Sequence, residues 1–355
     1  MAHGSWLKAH RYKKMSFLED IRKKQPTQIA VLGGGSWATA IIKMLSENNV
    51  KVRWWIRKKS DADYIKKYHH NPNYLSDILV NPRKVKTFHR MTDAMMGAEY
   101  VIIAVPAAFI PDSLKILNRS HFEGKRVVSA IKGMIPNENL LVTDWVEKNF
   151  GVSQSRMCVI AGPCHAEEVA LEKQSYLTIA SPSFSCASDF ANLLNCRFIQ
   201  ASAITDLYGV EYCAVMKNII AMACGITHGL GYGDNFQAVM VSNAMQEIKS
   251  FLDAVYPEAT RDLNGSGYLG DLLVTAYSQF SRNRTFGNMI GRGYSVRAVQ
   301  MEMNMIAEGY YAVKSIYEIN LKYKATMPIT TALYKILYEK MSPQAEVNEL
   351  RKSLR

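Results

Sequence analysis

No C-x-x-C pair occurs among the six cysteines of this 355-residue chain, at 158, 164, 186, 196, 213 and 224. That removes the zinc-finger and dithiol readings and leaves buried free thiols in a reducing compartment as the better fit. No group of His, Cys and carboxylate side chains has ligand spacing, so no metal is expected. No run of about 18 apolar residues exists, so no membrane-spanning helix is expected. The first 27 residues lack the apolar core of a secretory signal, and a cytoplasmic location is the default expectation. Low-complexity segments and internal repeats are also missing. Acidic residues are scarce relative to basic ones, 31 against 43, giving a net charge of +12. Such an excess favours anionic ligands and raises nucleic acid as a question. Much of it lies in a basic arm, His10-Arg11-Tyr12-Lys13-Lys14 and Arg22-Lys23-Lys24, and reads as solvated charge. No nucleic-acid motif accompanies it, so no nucleic-acid partner is expected.

What is present is an ordinary globular composition, 48% hydrophobic and 21% charged. Short apolar runs read as strands: Gln28–Leu32, Lys51–Ile56, Tyr100–Val105, Arg126–Ile131, Met157–Ala161, Tyr176–Ala180 and Arg197–Gln200. Helical stretches fall between most of them, which argues for a doubly wound, mostly parallel α/β sheet. From about Thr205 onward the pattern is helix after helix: Asp206–Cys224, Phe236–Tyr256, Leu269–Phe280, Met305–Leu321 and Ile329–Lys340. The expected division is a basic extension at 1–27, an α/β domain at 28–203 and an all-α domain at 204–355.

Gly33-Gly34-Gly35-Ser36-Trp37-Ala38 stands between the first strand and its helix and fits G-x-G-x-x-G/A. Gly33 permits the tight turn and Gly35 the close approach of a pyrophosphate. Ala38 lets helix and strand pack closely, and the helix N-terminus attracts phosphate. The competing reading is a tight turn with no ligand. The second strand ends in Arg57-Lys58-Lys59, where an acid would grip the ribose hydroxyl of NAD, and the first acid is Asp61. Basic residues there suit the 2′-phosphate of NADPH; a solvated strand end is the alternative.

Lys217 lies among apolar and small helical neighbours, Cys213, Ala214, Ile220 and Ala221. It either snorkels or is buried, and a buried lysine becomes a usable acid or base near neutral pH. Lys132 follows the strand ending at Ile131, at the edge where open α/β sheets hold ligands. Asp271 and Thr275 share one helix face, and Ser281-Arg282-Asn283-Arg284 supplies guanidinium and amide groups suited to phosphate. Cys164 and His165 invite a nucleophile or a metal, but apart from Glu167 and Glu168 they lack partners at the needed spacing. His228 reads as a packed or surface histidine.

GGGSWATA, VPAAF, AIKG, AGPCHAEE, VMKNIIA, GYLGDLLVT, SRNRTFG and AEGYYAVK occur in this order over about residues 28–340. The set resembles the NAD(P)-dependent glycerol-3-phosphate dehydrogenases of the bacterial type. The resemblance implies a Rossmann domain followed by a helical substrate domain, usually dimeric. It implies reversible reduction of dihydroxyacetone phosphate to sn-glycerol 3-phosphate, feeding phospholipid synthesis. By the same resemblance Ser36, Trp37, Arg57, Ala166, Ile306 and Glu308 match cofactor contacts, and Lys132 and Arg282 match residues touching both cofactor and substrate. Lys217 matches the proton donor and acceptor. Gly162, Asn218, Asp271, Thr275, Ser281 and Asn283 match substrate-side residues. Rival readings are a dehydrogenase of another phosphorylated, 2-keto or 3-hydroxy substrate, and a non-catalytic dinucleotide sensor. The chain departs from the family pattern at Ala38, usually Gly, and at Cys164-His165, usually Ser or Thr and then an aromatic. It departs again at Phe236-Gln237 and at Ser242-Asn243-Ala244.

Overall fold

The structure, a computed structural model, describes residues 26–303 and 307–355. The basic arm expected before Pro26, and Ile306, lie outside the described residues. Among the described residues ten strands appear: β1 (Thr27–Leu32), β2 (Val50–Trp55), β3 (Val85–Phe88), β4 (Tyr100–Ile103), β5 (Arg126–Ser129), β6 (Met134–Ile135), β7 (Leu140–Leu141), β8 (Met157–Ala161), β9 (Ser175–Ala180) and β10 (Ile199–Ile204). Eight form one sheet in the order β10-β9-β8-β5-β4-β1-β2-β3, while β6 and β7 make a small antiparallel pair. Every neighbour in the large sheet is parallel except β8 and β9. The doubly wound, mostly parallel sheet expected from the strand–helix alternation is therefore what forms. β3 has no counterpart among the expected strands, because four residues with one charge give almost no periodic signal.

β1 shows why the sheet is buried on both sides. Ile29 and Val31 join the core on one face, and Ala30 and Leu32 join the core on the other. That is the two-residue period of a strand covered by helices front and back. The helix Ser36–Ser46 closes the first face with Ala38, Ile41, Ile42 and Leu45, all fully buried and at helical spacing.

After Ile204 the described chain is helical. The central element is Leu207–Gly229, buried over nearly its whole length. Its length and composition would suffice to cross a membrane, but it is the core helix of this domain. Asp206 caps it by accepting from the Gly209 amide at 3.0 Å, and Arg261 and Tyr268 hold the same carboxylate. The helix Arg282–Gly291 lies backbone to backbone against it. A Cβ at Gly287 would sit 2.9 Å from the Ile226 amide nitrogen, so only glycine allows this crossing. Ahead of the crossing, Asn283 and the Asn218 carbonyl both face the Gly309 backbone.

The central helix is also tied to the α/β domain. Buried Glu211 accepts hydrogen bonds from the backbone and hydroxyl of Thr143, in the first turn of the helix Val142–Phe150. Burial pushes its carboxyl up to about 8, with the Thr143 donors opposing.

Candidate active site

A cleft of about 920 Å³ runs from the glycine loop to the central helix. It opens over the C-terminal ends of β1 and β4, where the order of strands reverses, the usual ligand position in such sheets. Gly33 adopts φ +138°, and a Cβ there would approach the Ala104 carbonyl oxygen to 2.5 Å. Gly35 has nothing within 4 Å of such a Cβ, leaving its backbone open to the cleft. Ser36 begins the helix that points its free amides into this space. The Trp37 Nε1 is buried without a hydrogen-bond partner. These features fit a dinucleotide: a bare turn, open amides and an unmatched indole donor on the same helix start.

The loop is held by a residue that sequence reasoning passed over. Asn71, 2% exposed, donates to the Gly34 carbonyl at 3.1 Å and to the Thr39 hydroxyl at 2.9 Å. Its oxygen accepts from the amides of Asn73 and Tyr74, so the whole amide group is used. Asn71-Pro72-Asn73 is a turn signature, but nothing in it announces the glycine loop as its partner. Arg57 and Lys58 line the cleft beyond the loop, and Asp61 lines it with them.

At the other end the charged residues converge. Lys217 is 5% exposed, so it is buried rather than snorkelling. Its ammonium pairs with Asp271 and donates to the Thr275 hydroxyl at 2.7 Å. Lys132 reaches Asp271 from the sheet side at 3.0 Å and the Gly162 carbonyl at 3.3 Å. The Gly162 amide donates to the same carboxylate at 3.1 Å. One fully buried carboxylate thus gathers a lysine from each domain and the turn after β8. Burial pushes Lys217 down; Asp271 opposes this and Lys132 adds to it. For Asp271 burial works upward, but Lys132 and Lys217 outweigh it and hold the carboxyl below its ordinary value.

Asn218 donates to the Lys132 carbonyl at 2.6 Å, and Asn283 accepts from the Gly309 amide at 2.9 Å. Ser281 caps the helix Arg282–Gly291, and Arg282 lines the cleft at its first turn. Glu308 accepts from the Ala107 amide at 3.0 Å and sits against Gly133. Burial pushes its carboxyl up, with the Ala107 amide and Arg282 opposing. Ala166 completes the wall beside His165. Of the expected site residues among the described residues, all line this cleft except Gly162, which meets it through Lys132 and Asp271. His228 is exposed at the far end of its helix, outside the cleft lining.

The family models agree with this geometry. Residues 28–187 match the NAD-dependent glycerol-3-phosphate dehydrogenase N-terminus and residues 206–348 match its C-terminus. The chain is 35% identical over 315 residues to a glycerol-3-phosphate dehydrogenase [NAD(P)+] of Bacillus pumilus, covering 88% of this chain and 90% of that one. A Clostridium botulinum enzyme of the same name is 34% identical, covering 91% and 97%. The crystal structure of glycerol-3-phosphate dehydrogenase from Coxiella burnetii superposes with TM-score 0.85 at 29% identity, covering 92% and 99%. With both halves matched in order and the site assembled between them, this chain belongs to the NAD-dependent glycerol-3-phosphate dehydrogenase family.

Proposed function

We propose that the chain interconverts dihydroxyacetone phosphate and sn-glycerol 3-phosphate with NADH or NADPH. The observation that carries the reading is the Lys132–Asp271–Lys217 cluster, set beside a phosphate-suited helix start and opposite a dinucleotide loop. Gly33, Gly35, Ser36, Trp37 and Ala166 would hold the cofactor, with Glu308 toward its nicotinamide end. Bound there, the nicotinamide supplies the hydride that reduces the C2 carbonyl.

Arg282 binds the substrate phosphate, with Ser281 and Asn283 on the same helix start and Asn218 and Thr275 facing it. As negative charge develops on the C2 oxygen, the Lys217 ammonium gives it a proton; in the oxidative direction the neutral amine takes that proton back. Burial makes that ammonium a better acid than a solvated lysine. Lys132 adds positive field at the same oxygen. Asp271 aims both lysines and, with the Gly162 amide, keeps them in register.

Arg57 and Lys58 favour the 2′-phosphate of NADPH, and NADPH is the preferred cofactor in this proposal. The same proposal includes a division into a Rossmann domain at 28–203 and a substrate domain at 204–355, a homodimer, a cytoplasmic location and a supply of glycerol phosphate to phospholipid synthesis. The decisive assay follows oxidation of NADPH, and separately of NADH, at about 340 nm with dihydroxyacetone phosphate. Turnover is expected with both, faster with NADPH. No turnover with either, with both bound, overturns the reading; a higher rate with NADH overturns the role given to Arg57.

A further inference from the structure

His165 stands in the wall of the substrate end of the cleft and takes no part in the chemistry above. Its ring meets the Val274 backbone on one side and the Phe280 ring on the other, at 6.0 Å between centroids. Its Nε2 is buried and has no hydrogen-bond partner. A buried polar atom left unmatched is costly, so such an atom in a binding site points to a ligand group that completes it. The group must suit the ring's charge state. Burial, then Lys217 and Lys132, push the imidazole down to about 4, so it is neutral near pH 7. A neutral imidazole offers one N–H and one lone pair.

The substrate has two ends. Its phosphate presents only acceptors, which suits Arg282 and the first turn of its helix. Its hydroxymethyl group can donate, which suits Nε2: the ring's N–H is turned to the Val274 backbone, so Nε2 is left as an acceptor. We propose that His165 hydrogen-bonds the C1 hydroxyl of the substrate and makes the enzyme select for it. The inference rests on the dihydroxyacetone phosphate reading and adds a specificity residue to it. His165 positions and discriminates; Lys217 still moves the proton.

The test compares dihydroxyacetone phosphate with its 1-deoxy analogue, hydroxyacetone phosphate, in the full chain with NADPH. A site that reads a hydroxyl discriminates strongly against a substrate lacking it, and one such contact is worth about tenfold to hundredfold. The native enzyme is expected to prefer dihydroxyacetone phosphate in kcat/KM. His165→Phe should lower kcat/KM for dihydroxyacetone phosphate by about tenfold or more and leave the analogue within about threefold. His165→Gln, which keeps a donor and an acceptor, should recover part of the preference. His165→Asn, one methylene shorter, should not. Cofactor binding, read by nicotinamide fluorescence, should be unchanged in all three and reports folding. An equal loss for both substrates would make the residue a packing element and overturn the proposal, as would an unchanged preference in all three variants. If the native enzyme reduces neither compound with either cofactor, the substrate reading itself fails, and that result is separable because it appears before any substitution.

Discussion

At the sheet edge the cleft is walled largely by backbone: Gly33 at a turn only glycine tolerates, Gly35 bare to the cavity, and the first amides of the helix at Ser36. At the helical side it is walled by side chains, with Lys217, Asp271 and Thr275 buried and Lys132 brought across from the sheet. The backbone wall carries its field as fixed dipoles and is set by sterics. The side-chain wall carries whole charges out of water and holds them only because each has a partner. The first should fail by clash, the second by loss of charge balance.

Lys217→Ala attacks the second wall at its reactive atom, and kcat should fall by about hundredfold or more. A loss under about fivefold, with binding intact, would end the proton-transfer role. Asp271→Asn leaves two ammonium groups facing each other, one of them buried. Breaking a buried pair costs about 3–5 kcal/mol, so the thermal midpoint should drop clearly. The same change should be visible in the pH profile. Ketone reduction needs the protonated lysine, so its rate falls as pH rises through the Lys217 pKa, already pushed down from the ordinary 10.5. Without the carboxylate that opposes burial, that limb should move to still lower pH; a shift upward would contradict the arrangement.

Gly33→Ala tests the first wall. A methyl group against the Ala104 carbonyl, at a φ that side chains avoid, should cost about 2 kcal/mol or more and weaken cofactor binding, while leaving the lysine cluster intact. Calorimetric titration with NADPH would show it. Asn71→Ala is the mildest break. It frees the Gly34 carbonyl and the two amides that the side chain had satisfied, at about 1–3 kcal/mol, and should raise the cofactor Kd by about tenfold. An unchanged Kd would mean the loop holds its shape without the strap.

The two walls also differed in how plainly they could be read from sequence. Gly33 to Ala38 is contiguous and lies between a strand and a helix, so its chemistry and fold context arrive together. Lys217 and Asp271 are 54 residues apart and Lys132 and Asp271 are 139 apart, so no local pattern joins them. The helical periodicity left Lys217 open between snorkelling and burial; family motifs supplied the grouping, and the fold supplied the contact. Asn71 and His165 stayed illegible for a related reason. A turn asparagine and a single histidine have many ordinary uses, and only their three-dimensional neighbours distinguish these two. The helix Arg282–Gly291 was likewise hidden, because its glycines lower helix propensity while being what the crossing requires.

The hold of Glu211 on Thr143 makes the central helix a measuring rod. Lys217 lies six residues further along the same rod, about 9 Å at 1.5 Å per residue. The distance between the proton-transfer lysine and the helix Val142–Phe150 is thus counted out in peptide units from a fixed mark. Adding one residue between Glu211 and Lys217 would advance the lysine by one unit and swing it about 100° around the axis, away from Asp271. The span 211–217 should therefore tolerate exchange of side chains far better than any change of length.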